Sequence, residues 1–154
     1  QDVVDFIQGE AALANTRIIA LNPQSLGDVF SDVLRIGSAL GVAVRARRYV
    51  DGLIERVDVI RDRTARIAED DRPRVICIEW IEPLMLAANW TPELIDIAGG
   101  RCPLTKAGTH SDYSSWSNVE QFDPEVIVVS PCGFDLARTL EEAKPIETWE
   151  GFAE

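Results

Sequence analysis

The chain has 154 residues, 46% hydrophobic and 27% charged, which suits one globular domain with a core and not a disordered segment. Its formal net charge of −11 repels phosphate backbones, which excludes nucleic acid as a partner and argues against docking on an anionic membrane surface. No apolar run approaches the ~20 residues of a bilayer span, and three cysteines without regular spacing do not make a disulfide framework, although Cys102 and Cys132 are open to pairing in an oxidising compartment.

Residues 2–13 read as a helix remnant or connector. Residues 16–21, Thr-Arg-Ile-Ile-Ala-Leu, read as a short strand closed by Asn22-Pro23. Ser25 is an N-cap with Asp28 three residues on, and Leu26, Val29, Val33, Ile36 and Leu40 form one apolar helix stripe that Gly41 ends. A longer helix is expected over residues 42–68, with Ala46, Val50, Leu53, Val57, Ile60, Thr64 and Ile67 inward. Arg47/Asp51, Asp62/Arg66 and Asp58/Arg61 lie on its outer faces as weak solvated pairs. Its length exceeds the average helix of ~11–12 residues and suits a spine between two lobes.

Residues 74–80, Arg-Val-Ile-Cys-Ile-Glu-Trp, read as a buried parallel strand, followed by a loop over 81–90. Thr91-Pro92-Glu93 opens a helix with Thr91 as N-cap, and Gly99-Gly100 closes it. A polar loop over 101–114 precedes a short helix capped by Ser115 or Ser117, the latter at capping-box spacing from Glu120. A second buried strand, Val126-Ile127-Val128-Val129, leads through Pro131-Cys132-Gly133-Phe134 into a helix from Phe134 or Asp135 to Ala143. Lys144-Pro145 is expected to end it, with another helix starting at Ile146. Strands thus alternate with helices: an α/β fold, a parallel sheet with flanking helices. Ligands in such folds gather at the loops after the strands' carboxyl ends, here those after Trp80 and Val129.

The inventory is poor in catalytic chemistry. No phosphate-cradling glycine loop, nucleophile elbow or Cys-x-x-Cys is present, and His110 is the only histidine, so a protein-ligated metal is not expected. Cys132 with His110 fits the logic of an activated thiol, but a packed cysteine and a solvated histidine are the plainer reading. Glu79 and Glu82 fit a carboxylate pair, or else a strand-end acid and a loop acid in contact with ligand or partner. Trp80, Trp90, Tyr113, Trp116 and Phe134 all fall in or beside loops, where aromatics offer rigid surfaces to an apolar planar ligand. For Trp90 and Trp116 packing against the helices they precede is the plainer role.

Three stretches carry a resemblance: Arg74-Val75-Ile76-Cys77-Ile78-Glu79-Trp80-Ile81-Glu82-Pro83-Leu84; Asn89-Trp90-Thr91-Pro92-Glu93-Leu94 with Ala98-Gly99-Gly100; and Asp123-Pro124-Glu125-Val126-Ile127-Val128-Val129-Ser130-Pro131-Cys132-Gly133-Phe134. In this order, with Gly37-Ser38-Ala39-Leu40-Gly41 upstream of the long helix, the chain resembles the cobalamin (vitamin B12)-binding, BtuF-like branch of ABC-importer periplasmic binding proteins with a helical backbone. The resemblance implies a non-enzymatic, two-lobed protein. Residues 1–41 would close the first lobe, 42–69 form the backbone helix, and 70–154 form a C-terminal α/β lobe, incomplete in this chain. A corrinoid or related metal chelate would be held between the lobes and handed to a membrane permease, outside the cytoplasm, with the metal inside the ligand and no resident cofactor. Iron siderophores or haem are alternatives on the same fold, and an intracellular α/β enzyme or regulatory module using Cys132 is one from another class. The ligand contacts it points to are Glu79, Trp80, Glu82, Trp90, Tyr113, Cys132, Gly133 and Phe134. Glu120, near the position Ser117 takes in the alignment, is carried over for the permease. A chain with half a cleft is expected to bind weakly alone, and its open strand edge makes a homodimer a candidate assembly.

Overall fold

The computed structural model describes residues 2–10, 13 and 15–149. The elements are α1 (Asp2–Gly9), α2 (Leu26–Ala39), α3 (Ala43–Thr64), β1 (Val75–Trp80), β2 (Met85–Leu86), α4 (Thr91–Ile97), β3 (Asp112–Tyr113), α5 (Trp116–Phe122), β4 (Val126–Val129) and α6 (Leu136–Glu147). The four strands form one sheet in the order β3-β2-β1-β4.

The fold is α/β with helices on both faces of the sheet, but the sheet is mixed, not parallel as expected. β1 and β4 run parallel with Val75 opposite Val126 and Ile78 opposite Val129. β2 runs antiparallel to both β1 and β3. The cause is connection length: residues 81–84 are too few for a crossover, so the chain turns back along β1. The loops expected over 81–90 and 101–114 thus each contain a two-residue strand, too short to show alternation.

Both faces of β1 are covered, which is why Val75 to Ile78 are all buried. Ile76 and Ile78 join Leu84, Leu86, Val119 of α5 and Ile146 of α6. Val75 and Cys77 face the other way, onto Ala87 and Ile95 of α4. The thiol of Cys77 is pushed up to about 11, chiefly by burial, then by the charge of Glu79 and by Cys102. All three cysteines are free; Cys102 follows the bridge beside the start of β1, while Cys132 follows the far end of β4.

α2 begins with the anticipated N-cap Ser25, which forms a reciprocal capping box with Asp28. The Asp28 carboxyl is held below its usual value by the Ser25 hydroxyl and by the backbone N–H groups of Gln24 and Ser25. α2 crosses α3 at Gly37, where a Cβ would lie 2.2 Å from the Ala46 Cβ, so only glycine permits this approach. α3 ends at Thr64, short of the expected residue 68, and of its three anticipated ion pairs Asp58–Arg61 forms. Two hydrogen bonds tie the helices to the sheet region. Leu26 N–H donates to the Glu93 carboxylate at 2.7 Å, and the Thr64 hydroxyl donates to the Ile97 carbonyl at 2.7 Å.

Other local expectations shift. Residues 16–21 are not a strand: no neighbouring strand offers a ladder, and Ile18 and Leu21 are exposed. Trp90, not Thr91, takes the N-cap position of α4, without a side-chain bond, while Pro92 sits in the first turn. Ser115 caps α5; the Ser117 hydroxyl pairs with that of Ser115 instead of forming a box with Glu120. Asp135 caps α6, which runs through Pro145 to Glu147. Pro145 costs one bond, to the carbonyl of exposed Glu141, and the packing of Ile146 holds the last turn in place. Residues 150–154, assigned to a further helix, lie outside the described residues.

Candidate functional site

β1 and β4 deliver their carboxyl ends to the same rim of the sheet, because they are parallel and in register. From that rim Trp80 and Phe134 meet edge to face, ring centroids 5.3 Å apart. Gly133, at φ +77, turns the chain after β4 so that Phe134 reaches back toward β1. The Trp80 indole N–H donates to the Glu82 carbonyl at 3.1 Å, which fixes the ring while leaving it 38% exposed. The Arg138 guanidinium stands 3.6 Å above the Phe134 ring, and its Nε lies 3.7 Å from the Glu142 carboxylate.

Tyr113 joins this rim through the sheet: it pairs with Met85, and Met85 pairs with Trp80. Two strand spacings of about 4.8 Å place it about 10 Å from Trp80, the scale of a planar macrocycle. Its ring is 66% exposed. The Glu79 carboxylate accepts a hydrogen bond from the Ser111 hydroxyl. That hydroxyl in turn accepts from the Ala88 N–H at 3.0 Å, so Glu79 anchors the segment leading into β3.

Of the residues selected from sequence, the structure thus gathers Trp80, Tyr113, Gly133 and Phe134 along one rim. Cys132 is exposed on the turn between Pro131 and Gly133, and Glu82 is exposed on the turn after β1. The Glu79 carboxylate is bonded to Ser111, and the Glu82 backbone carbonyl accepts the Trp80 indole N–H. Trp90 stands at the head of α4, and among the described residues it makes no ring contact with Trp80, Tyr113 or Phe134. Trp116 instead packs on the core beside Trp149, centroids 4.9 Å apart. Glu120 is exposed on α5.

The Cys132–His110 dyad does not form. His110 lies beside β3 and Cys132 follows β4, at opposite edges of the sheet, about 14 Å apart at about 4.8 Å per strand. No group of three or more metal-ligating side chains exists among the described residues. Sequence reading missed Arg138 and Ser111. Arg138 was legible as the residue four after Phe134 on a capped helix, whereas nothing local marks Ser111.

No protein-family model and no curated protein matches the chain. Solved structures do. An ABC transporter substrate-binding protein from Listeria monocytogenes matches with a TM-score of 0.74 at 14% identity, over 98% of this chain and 57% of that one. IsdE of S. aureus, complexed with heme, matches at 0.67 and 17%, over 94% of this chain and 56% of that one. The periplasmic vitamin B12-binding protein BtuF of Vibrio cholerae matches at 0.62 and 14%, over 96% and 57%. The chain therefore has the fold of helical-backbone, two-lobed periplasmic binding proteins, and it spans a little over half the length of these structures.

Proposed function

We propose that this chain forms the C-terminal part of the substrate-binding component of an ABC importer, working outside the cytoplasm. Its ligand is a corrinoid or similar planar metal chelate. The observation that carries this reading is the aromatic rim: Trp80 and Phe134 in edge-to-face contact at the carboxyl ends of a parallel strand pair, half open, with Arg138 behind. Such a rim offers a rigid apolar surface at the position where open α/β sheets take their ligands. The ligands named for two proteins of the same fold, vitamin B12 and heme, are both planar chelates. Glu120, exposed on α5, is offered to a permease arginine.

Visible-absorbance and calorimetric titration of the natural protein with cyanocobalamin, and in parallel with hemin, tests this. Saturable binding of either, weakened about tenfold or more by Trp80→Ala, is expected. Tighter binding of hemin would exchange the corrinoid for haem. No spectral shift and no heat with either would remove the planar-chelate reading.

A further inference from the structure

A second feature adjoins the aromatic rim. A cavity of about 400 Å³ opens beside β3, lined by Leu86 and Tyr113 of the hairpin, Lys106, Thr109 and His110 of the preceding turn, and Asn118 of α5. Tyr113 belongs to both: its strand register ties it to Trp80, and it forms one wall of the cavity. The turn is built in place. The Asn89 N–H donates to the Thr109 carbonyl at 2.7 Å, the Gly108 N–H to the Asn89 carbonyl at 3.0 Å, and the Thr109 hydroxyl to the Lys106 carbonyl at 2.8 Å. The bond from Ser111 to Glu79 holds the chain just after it.

Three polar heads of this cavity, those of Lys106, His110 and Asn118, have no side-chain partner among the described residues. Of the two lysines in the sequence, Lys144 is paired with Glu141, while Lys106 has no carboxylate partner among the described residues. The His110 imidazole and the Asn118 side-chain amide have no partner among the described residues either, while the Asp112 carboxylate, on the same wall, is engaged by the Tyr113 N–H at 2.7 Å. In a chain of net charge −11, a lysine with no ion pair among the described residues, beside two unengaged donors, is a local site for an anionic oxygen, with the Asp112 carboxylate of the same wall held by the Tyr113 N–H.

We infer that this cavity receives an anionic side arm of the ligand, a carboxylate or phosphate, with Lys106 as its counter-charge and His110 and Asn118 as further donors. The inference rests on the planar-chelate reading: the ligand body lies on Trp80 and Phe134, and the arm passes Tyr113 into the cavity.

The test pairs each probe with its counterpart lacking the anion. Hemin is compared with its dimethyl ester, in which the carboxylates are blocked, and cyanocobalamin with dicyanocobinamide, which lacks the phosphate together with its ribose and base, so that selectivity for the anion is read from the effect of Lys106→Gln within each pair. Lys106→Gln is expected to weaken hemin or cyanocobalamin about tenfold and to leave the counterpart unchanged. The same variant should flatten the salt dependence of binding. His110→Gln should act in the same direction and less strongly. The hemin pair reports a carboxylate arm, the cobalamin pair a phosphate. Equal losses for both members of a pair, or no loss with Lys106→Gln while Trp80→Ala still weakens binding, would overturn the cavity assignment and leave the rim standing. Absence of binding by every probe would overturn the rim reading and the cavity assignment together.

Discussion

The sheet region and the helices before it are held by different means. In the sheet region, β1 is sealed on both faces, and Ile76, Ile78 and Val119 are wholly buried. In the helical region, only Ala46 and Val50 of α3 and Asp32 and Gly37 of α2 are buried among the described residues, while Val3, Phe6, Leu40, Val44 and Tyr49 are exposed. One region closes a core of its own. The other rests on a single close helix crossing, two hydrogen bonds to α4, and a groove between α2, α3 and α4 that holds about 380 Å³. The aromatic rim is thus built on the region with the larger buried core.

Ile78→Ala should show the largest effect. It removes a wholly buried side chain that touches helices and hairpin alike, at a cost of about 4 kcal/mol. Denaturant unfolding followed by tryptophan fluorescence should show the midpoint falling steeply, since Trp80, Trp90, Trp116 and Trp149 all report on this region. A small shift would mean that the sheet is not the stability centre.

Gly37→Val should come next, at about 3 kcal/mol, because its side chain meets the backbone-borne Cβ of Ala46. Here the loss should be regional. Hydrogen exchange should speed up in α2 and the first turns of α3 while β1 and β4 keep their protection. Uniform loss of protection would show that the two regions unfold as one.

Ser25→Ala should cost about 1 kcal/mol by removing the cap of α2, again read by exchange in that helix. The smallest effect is on pH. The Asp28 carboxyl has a folded pKa below its unfolded value, so its contribution is present above about pH 4, the unfolded value, and is lost as pH falls through the folded one. Asp28→Asn should remove that acid sensitivity of α2, measured by helical exchange between about pH 5 and 2. An unchanged profile would assign the sensitivity to another group.

Much of the fold was legible because it is local. The capping box at Ser25 and Asp28, the stripe from Ala46 to Thr64, and the apolar run Val75-Ile76-Cys77-Ile78 each declare their element within a few residues. Elements that depend on distant partners were not legible. Thr16 to Leu21 has strand composition but no strand to pair with, while Met85-Leu86 is a strand only because β1 offers an edge, and Asp112-Tyr113 only because β2 does. Pro145 was read as a helix end, yet Ile146 is buried in the core and carries the helix past it.

The site divides in the same way. Composition and order alone determined that the chain is α/β, that its aromatics collect near strand ends, and that it has little catalytic inventory, because residue type and periodicity encode these directly. Tertiary structure decided which aromatics stand together. It brought Trp80 to Phe134, added Arg138, bound Glu79 to Ser111, set Trp116 against the core, and parted Cys132 from His110 by the width of the sheet. The reason is physical: strand order and register set distances between residues far apart in the chain, and no local pattern records them.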